Sequence, residues 1–378
     1  MFYVQHLLGI GHIRRAVLLN RAMVDQGFEV LVVLGGQDVA GLSFEPAQIV
    51  RLPSAHVTDH TFAPLRKENG DPVDEAWKQH RTELLLQTYE DFQPDVILTE
   101  MFPFGRRQFR FELLPLLKAA KAAVSRPKIV CSVRDILVNK NKPGRDQETA
   151  AFVHDHYDLV LVHGDPQLTK LSDTFRAANS ISEYIRYTGY VAPKGSTSKS
   201  LAGQGEVIVS AGGGAVGGPL FKTALQARAL SKHAHKTWRL ITGPNYEVEA
   251  FKALVQKAPR GVIVERFRTD LPHMFNNCAL SISQGGYNTL MDVLRAKTAA
   301  VVVPYQDGSE SEQRHRADLL AERNMITVVI ARNVTAKILA QAIDSAQRPC
   351  DGIHKIDFDG AEASARLIAQ QGTGGRMA

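Results

Sequence analysis

Residues 279–320 read ALSISQGGYNTLMDVLRAKTAAVVVPYQDGSESEQRHRADLL. An apolar run, Ala279–Ser283, predicts a buried strand, and Gln284-Gly285-Gly286 turns it into a helix over Tyr287–Ala296. Two glycines between a strand and a helix let an anion approach the backbone, where the first-turn N–H groups meet it. Leu290, Val293 and Leu294 make the buried stripe of that helix, which leaves Asn288, Asp292 and Arg295 on the polar face. Asp292 then stands one turn from a diphosphate seat, where a carboxylate can accept from a ribose diol. A second strand, Ala299–Val303, stops at Pro304, and a polar loop, Tyr305–Gln313, leads to another helix. Such a unit builds a ligand crevice at the carboxyl ends of parallel strands. The plainer alternative is an ordinary βαβ turn with solvated polar residues.

The same alternation fills the second half of the chain. Val207–Ser210, Trp238–Thr242, Val262–Glu265, Leu280–Ser283, Ala300–Val303 and Thr327–Ile330 read as strands of one parallel sheet, with helices between them. After the first strand comes AGGGAVGG, Ala211–Gly218, with five glycines in eight residues. Its backbone can wrap a phosphate. It lacks the Gly-Lys-Ser/Thr ending of a P-loop, so a hydrolysed nucleoside triphosphate is not indicated.

Thr188–Gly205, rich in Gly, Ser, Pro and Lys, is the best domain boundary. The expected division is 1–190, a linker at 191–205, 206–350, and a helix with a tail at 351–378. In the first half, Phe2–Leu8 is a strand, Gly9-Ile10-Gly11-His12 a turn, and Ile13–Met23 a helical face. This is not the G-x-G-x-x-G pattern of nicotinamide sites. Residues 37–82 read as polar and irregular. His56 and His60 bracket Asp59, and solvated loop histidines explain them better than a metal does. Strands recur that end in a titratable residue: His6, Glu100, Asp135 and His163. In a parallel sheet these ends share one rim. MFPFGRRQFRFELLPLLK, from Met101, interleaves phenylalanines with arginines. It reads as a helix start with core aromatics and solvated arginines, the alternative being a surface for anionic headgroups.

At 378 residues, 44% hydrophobic and 22% charged, the composition fits a globular protein of two domains. No run approaches the roughly 18 apolar residues of a membrane span. The first residues read as a strand, not a leader. Three scattered cysteines suit a reducing cytosol rather than a disulfide framework or a zinc site. A net charge of +6 permits an anionic substrate or membrane surface, and no motif for nucleic acid is present.

Gly9–Ala16 (GIGHIRRA), Thr188-Gly189, the glycine loop at Gly212–Gly218 and Ser283–Leu320 resemble, in order, the landmarks of glycosyltransferase family 28, the MurG-like group. That resemblance implies an α/β protein of GT-B architecture, two Rossmann-like parallel-sheet domains facing across a cleft. It implies an inverting, metal-independent transferase that moves a sugar from a nucleotide-diphosphate sugar, usually UDP-linked, to a hydroxyl acceptor on the N-terminal domain. The acceptor is lipid-linked, a cell-envelope or exopolysaccharide glycan, or a small molecule. No cofactor is implied. Carried over by position, Gly212, Gly213 and Gly214 face the diphosphate. Phe267 and Arg268 lie beside the base, while Gln284, Gly285, Gly286 and Asn288 line the phosphate turn. Asp292 meets the ribose, and Glu312 with Gln313 contacts the donor sugar. His12 faces the cleft as the first candidate base, with Glu100 and Asp135 behind it. Two departures bear on the donor sugar: the family has Gln-Gln where this chain has Glu312-Gln313, and Glu where it has Asp292. The expected location is cytoplasmic, with peripheral contact to the inner face of an anionic membrane as an option. A nucleotide-sugar hydrolase, a 2-epimerase and a non-catalytic sugar-nucleotide-binding protein are the rival readings.

Overall fold

The structure, a computed structural model, describes residues 1–7, 11–39, 41–57, 64–137, 143–193, 201–214, 216–305, 312–349 and 356–372. Gly9-Ile10, Asp59, His60, most of the linker and the centre of the loop after Pro304 lie outside them. The described residues divide into two compact units. Residues 1–137, 143–191 and 359–372 form the first, and 192–358 the second.

The first unit holds a seven-stranded parallel sheet. Its strands are β1 (Phe2–Val4), β2 (Leu31–Leu34), β3 (Gln48–Arg51), β6 (Val96–Glu100), β7 (Lys128–Arg134), β8 (Leu159–His163) and β9 (Ile185–Tyr187), in the order β3-β2-β1-β6-β7-β8-β9. A small antiparallel ribbon, β4 (Ala55–His56) with β5 (Arg66–Lys67), stands apart. The central strands read VILTE, KIVCSVR and LVLVH because helices cover both faces of a parallel sheet, which favours unbroken apolar runs. The helices are α1 (Gly11–Asp25), α2 (Glu75–Phe92), α3 (Arg110–Ala122) and α4 (Arg145–His156).

The described residues among 37–82 hold more regular structure than their polar sequence suggests, since they supply β3, the ribbon and the start of α2. The buried positions of α2 are Arg81, Leu85, Thr88 and Tyr89, so its inward stripe is half polar and its periodicity is hidden. Arg81 is fully buried. Its Nε donates to Glu112 Oε2 on α3 at 2.6 Å, and Nη2 donates to Oε1 at 2.9 Å. Nη1 donates to the carbonyls of Gly35 (3.0 Å) and Pro53 (2.6 Å), while the Tyr3 hydroxyl donates to Glu112 Oε1.

The second unit holds β10 (Val207–Ser210), β11 (Trp238–Ile241), β12 (Val262–Glu265), β13 (Leu280–Ser283), β14 (Ala300–Val302) and β15 (Thr327–Val328), all parallel, in the order β12-β11-β10-β13-β14-β15. Between or beyond them run α5 (Gly218–Arg228), α6 (Val248–Gln256), α7 (Leu271–Asn277), α8 (Tyr287–Arg295), α9 (Glu312–Glu322) and α10 (Ala336–Ser345). Trp238, Phe221 and Phe275 are fully buried among its aliphatic side chains. The final helix, α11 (Gly360–Gly372), belongs to the first unit. Its Ala361, Ala365 and Ile368 join the apolar cluster of Ile13, Ala16 and Leu19 on α1. Gly360 N–H donates to Tyr190 O at 3.1 Å, and a Cβ on Gly360 would collide with the carbonyl of Gly189.

Each sheet reverses its strand order once, between β1 and β6 in the first unit and between β10 and β13 in the second. Ligand crevices in open α/β sheets form outside the carboxyl ends of strands at such a reversal. Among the described residues no helix is long and apolar enough to cross a membrane.

Candidate functional site

In the second unit the reversal point is lined by glycine. After β10, Gly214 has φ +92°, and a Cβ there would collide with the carbonyl of Thr242 beyond β11. The two loops interlock there, with Asn245 N–H donating to Gly213 O at 3.0 Å. After β13, Gly285 has φ +79°, and a Cβ on it would lie 2.6 Å from a methyl of Val302. Gly286 differs: its φ is −58°, and an added Cβ would meet nothing within 4 Å. It caps α8 without a side chain, so it opens the first turn of that helix to a ligand. Gln284 Nε2 donates to Val216 O at 3.0 Å and ties the two glycine turns together.

The structure places the other positions expected to bind donor as follows. Asp292 is not on a solvated face. It is 5% exposed, because α8 is buried on nearly every side, and Asn288 and Arg295 alone among its polar residues stay half-buried. Arg295 lies over the Phe358 ring, 5.8 Å from its centroid. Phe267 is 50% exposed. Arg268 grips Asp270 with Nε at 2.7 Å and Nη2 at 2.6 Å, which raises its pKa. Glu312 is turned inward in the first turn of α9. It accepts from Arg316 Nη1 at 2.9 Å, and the Arg316 guanidinium lies 5.0 Å from the centre of the Tyr287 ring. Gln313 Oε1 accepts from the Tyr305 N–H at 3.4 Å.

In the first unit the reversal point carries titratable groups. His12, in the first turn of α1, has Nδ1 3.0 Å from Glu100 Oε1 at the end of β6, and its side chain is 14% exposed. Arg15, one turn on and 1% exposed, pairs with the same carboxylate. Ser132 Oγ on β7 donates to Glu100 Oε2 at 2.7 Å. His163 at the end of β8 has Nε2 2.9 Å from Ser132 Oγ and Nδ1 3.0 Å from Thr188 Oγ1. Burial alone would raise the Glu100 carboxyl, but Arg15, His12 and Ser132 outweigh it and hold it well below the carboxylate range. Burial and the nearby guanidinium of Arg106 hold His12 well below 6.5, against the hydrogen bond to Glu100; Arg134 and Arg15 lower it further. Arg15 Nη2, which can only donate, lies 3.3 Å from the same Nδ1, but the shorter 3.0 Å contact is to an ionised Glu100, which only accepts, so neutral His12 carries its proton on Nδ1 and its lone pair on Nε2. A positioned base has this form.

Asp135 stands outside this group. It is fully buried, accepts from the Tyr190 hydroxyl at 2.9 Å and from the Ile136 N–H at 2.9 Å, and packs against Gly164. The aromatic-arginine segment is mostly structural. Phe102 and Phe109 are buried, Phe104 packs on Phe175, Arg107 and Arg110 share Glu148, and Arg106 Nε donates to Gln5 O at 2.7 Å. Sequence reasoning missed Arg15 and Ser132. Arg15 shares a helix face with His12 at i+3. Ser132 is a hydroxyl inside the apolar run KIVCSVR, and a buried hydroxyl needs a partner.

Acid pH is expected to weaken this unit. Burial lowers His163 from 6.5 to about 3 and His6 from 6.5 to about 4. As pH falls from 6.5 towards 4, the unfolded chain takes up protons at these histidines before the folded chain does, so stability is lost through that window. Urea midpoints measured stepwise between pH 7 and 4 should fall; a flat series would contradict the burial of these rings.

Comparison with known proteins agrees with this fold. Residues 208–357 match the glycosyltransferase family 28 C-terminal domain. An 88-residue stretch is 22% identical to the UDP-N-acetylglucosamine–N-acetylmuramyl-(pentapeptide) pyrophosphoryl-undecaprenol N-acetylglucosamine transferase of Prochlorococcus marinus (strain MIT 9215), covering 23% of this chain and 24% of that relative. Among solved structures, Acinetobacter baumannii MurG superposes with a TM-score of 0.61 at 16% identity over 98% of both chains. The calicheamicin glycosyltransferase CalG4 superposes with a TM-score of 0.60 at 13% identity over 98% of this chain and 94% of that one. With its two Rossmann-like parallel-sheet units the chain has the GT-B fold, and its residues 208–357 match the glycosyltransferase family 28 C-terminal domain.

Proposed function

We propose that the protein is an inverting glycosyltransferase that moves a sugar from a nucleotide-diphosphate donor, UDP-linked as in the Prochlorococcus relative's name, to a hydroxyl acceptor. The observation that carries this reading is the Gly286 turn, a bare helix start at the strand-order reversal of a family 28 domain. In this reading the second unit holds the donor. Its diphosphate rests on the main chain of Gly212–Gly214 and on the first turn of α8, Asp292 meets the ribose, and Phe267 lies by the base. The first unit supplies the base: His12 Nε2 takes the proton of the acceptor hydroxyl as its oxygen attacks the anomeric carbon and the diphosphate leaves. Glycine-loop amides and the α8 dipole stabilise the departing charge, so the reaction runs without a metal. The acceptor is assigned only as a hydroxyl compound, the lipid-linked class of the MurG-like group being the first to try.

Gly286→Ala tests this directly. Its φ suits any residue and its surroundings are open, so the fold should be unchanged. The new methyl would stand where the diphosphate approaches. A nucleoside diphosphate at about 100 times its dissociation constant adds roughly 2.7 kcal/mol to stability. In a thermal-shift series with UDP, GDP, dTDP and their sugars, the wild type should show such a rise for one base. Gly286→Ala should lose it while its ligand-free melting point stays put. An equal rise in both proteins counts against this cradle. Donor consumed without any acceptor would point to hydrolysis instead.

A further inference from the structure

The dyad of His12 and Glu100 is the end of a longer chain. Glu100, Ser132 and His163 are fully buried and Thr188 is 2% exposed, and they stand at the end of β6, two residues before the end of β7, at the end of β8 and just after β9. Every link lies within hydrogen-bond distance: Thr188 Oγ1 to His163 Nδ1 at 3.0 Å, His163 Nε2 to Ser132 Oγ at 2.9 Å, Ser132 Oγ to Glu100 Oε2 at 2.7 Å, and Glu100 Oε1 to His12 Nδ1 at 3.0 Å. The directions of the protons follow from one end. An ionised carboxylate accepts only, and a charge-assisted bond wins the single Ser132 proton. Ser132 then has a lone pair for His163, so His163 Nε2 must be the donor. His163 Nδ1 is left to accept from Thr188, in preference to the carbonyls of Gly189 (3.0 Å) and Val162 (3.4 Å) that the same hydroxyl reaches.

We propose that Ser132 and His163 are positioning residues for His12: with Thr188 they form a one-way hydrogen-bond chain that ends on Glu100 and fixes which nitrogen of His12 carries its proton. The role in turnover rests on the reading of His12 as base; the proton arrangement does not. With Ser132 in place, Glu100 Oε2 is satisfied and Oε1 is aimed at His12. Without it, the carboxylate has one donor fewer and leans more on His12, which favours the imidazolium. The charged groups bearing on His12 are Arg15, Arg106, Arg134 and Glu100; those bearing on His163 are Arg15 and Glu100. Neither Ser132 nor Thr188 adds a charge, so substitution at Ser132 leaves that set intact. Such chains also polarise along their length, so removal of a middle link is felt at both ends.

The test is imidazole nitrogen NMR on the full chain, with kinetics in parallel. In the wild type near neutral pH, His12 is expected as the Nδ1–H tautomer and His163 as the Nε2–H tautomer. In Ser132→Ala the His12 titration should move to higher pH by about one unit, a tenfold change in its acid constant. Ser132→Thr, which restores the hydroxyl, should reverse this. In turnover, Ser132→Ala should lower kcat by about tenfold with donor KM unchanged, and move the acid limb of the kcat profile the same way. Should Ser132→Ala fold poorly, the wild-type tautomers and His163→Gln, which keeps a donor for Ser132, carry the test. His163 found as Nδ1–H, or a His12 titration unmoved by Ser132→Ala, overturns the proposal, even if stability drops. If His12→Ala keeps full turnover while both tautomers are as stated, the base assignment falls and the chain stands.

Discussion

His12→Ala is expected to slow sugar transfer by about 10²–10⁴-fold, the usual contribution of a positioned general base, while nucleoside diphosphate affinity stays at the wild-type level. The two halves of that expectation come from different parts of the chain. His12 and its carboxylate belong to the first unit, whereas the glycine cradle belongs to the second. A histidine that merely bonded the donor phosphate would weaken binding when removed; a base would not. The local chemistry favours the base. Burial and the Arg106 guanidinium keep the ring neutral, and the anionic Glu100 keeps its proton on Nδ1. Glu100→Gln should share part of the loss, since an amide no longer dictates the tautomer. Calorimetry with UDP and a turnover assay on His12→Ala settle the matter. Full turnover removes His12 as base, and lost affinity moves it to the phosphate.

Glu112→Ala is expected to destabilise the first unit by about 3–5 kcal/mol, the usual penalty for removing one partner of a buried ion pair. Arg81 is fully buried and holds both carboxylate oxygens, so the substitution leaves a guanidinium without its counter-charge and the Tyr3 hydroxyl without its acceptor. Arg81→Met would be damaging for another reason. The Pro53 carbonyl would lose the Arg81 donor and the Gly35 carbonyl would be left with the Ala55 N–H, and at Gly35 Arg81 and Gln5 crowd the space a Cβ would fill. Urea unfolding followed by a probe in the first unit should show the midpoint drop. A change under 1 kcal/mol would mean that solvent reaches Arg81.

The sheet strands were legible because each central one is a short apolar run, and the glycine turns because their spacing fixes where a strand becomes a helix. What stayed hidden had polar residues at inward positions. In α2, Arg81 and Thr88 take places where Leu would have made the helix obvious. β3 was missed because this edge strand is half exposed and carries no clear alternation. The rim of His6, Glu100, Asp135 and His163 was visible as strand ends, yet only the fold separates the members that meet from those that do not: Glu100 and His163 join through Ser132, whereas Asp135 turns to Tyr190. Asp292 was placed on a polar face because helical period says nothing about a helix enclosed on all sides. Glu312 was assigned to the donor sugar by position alone, and the sequence did not show that Arg316, one turn along, bonds its carboxylate.

The return of the chain to its starting unit bears on how the molecule is made. Residues 192–358 are contiguous, so they can fold as soon as they leave the ribosome. The first unit cannot finish at that stage. The α1 face of Ile13, Ala16 and Leu19 waits, greasy and uncovered, for Ala361, Ala365 and Ile368 to be synthesised. Native packing on α1 is thus completed only once α11 has been made, although α1 is translated long before it.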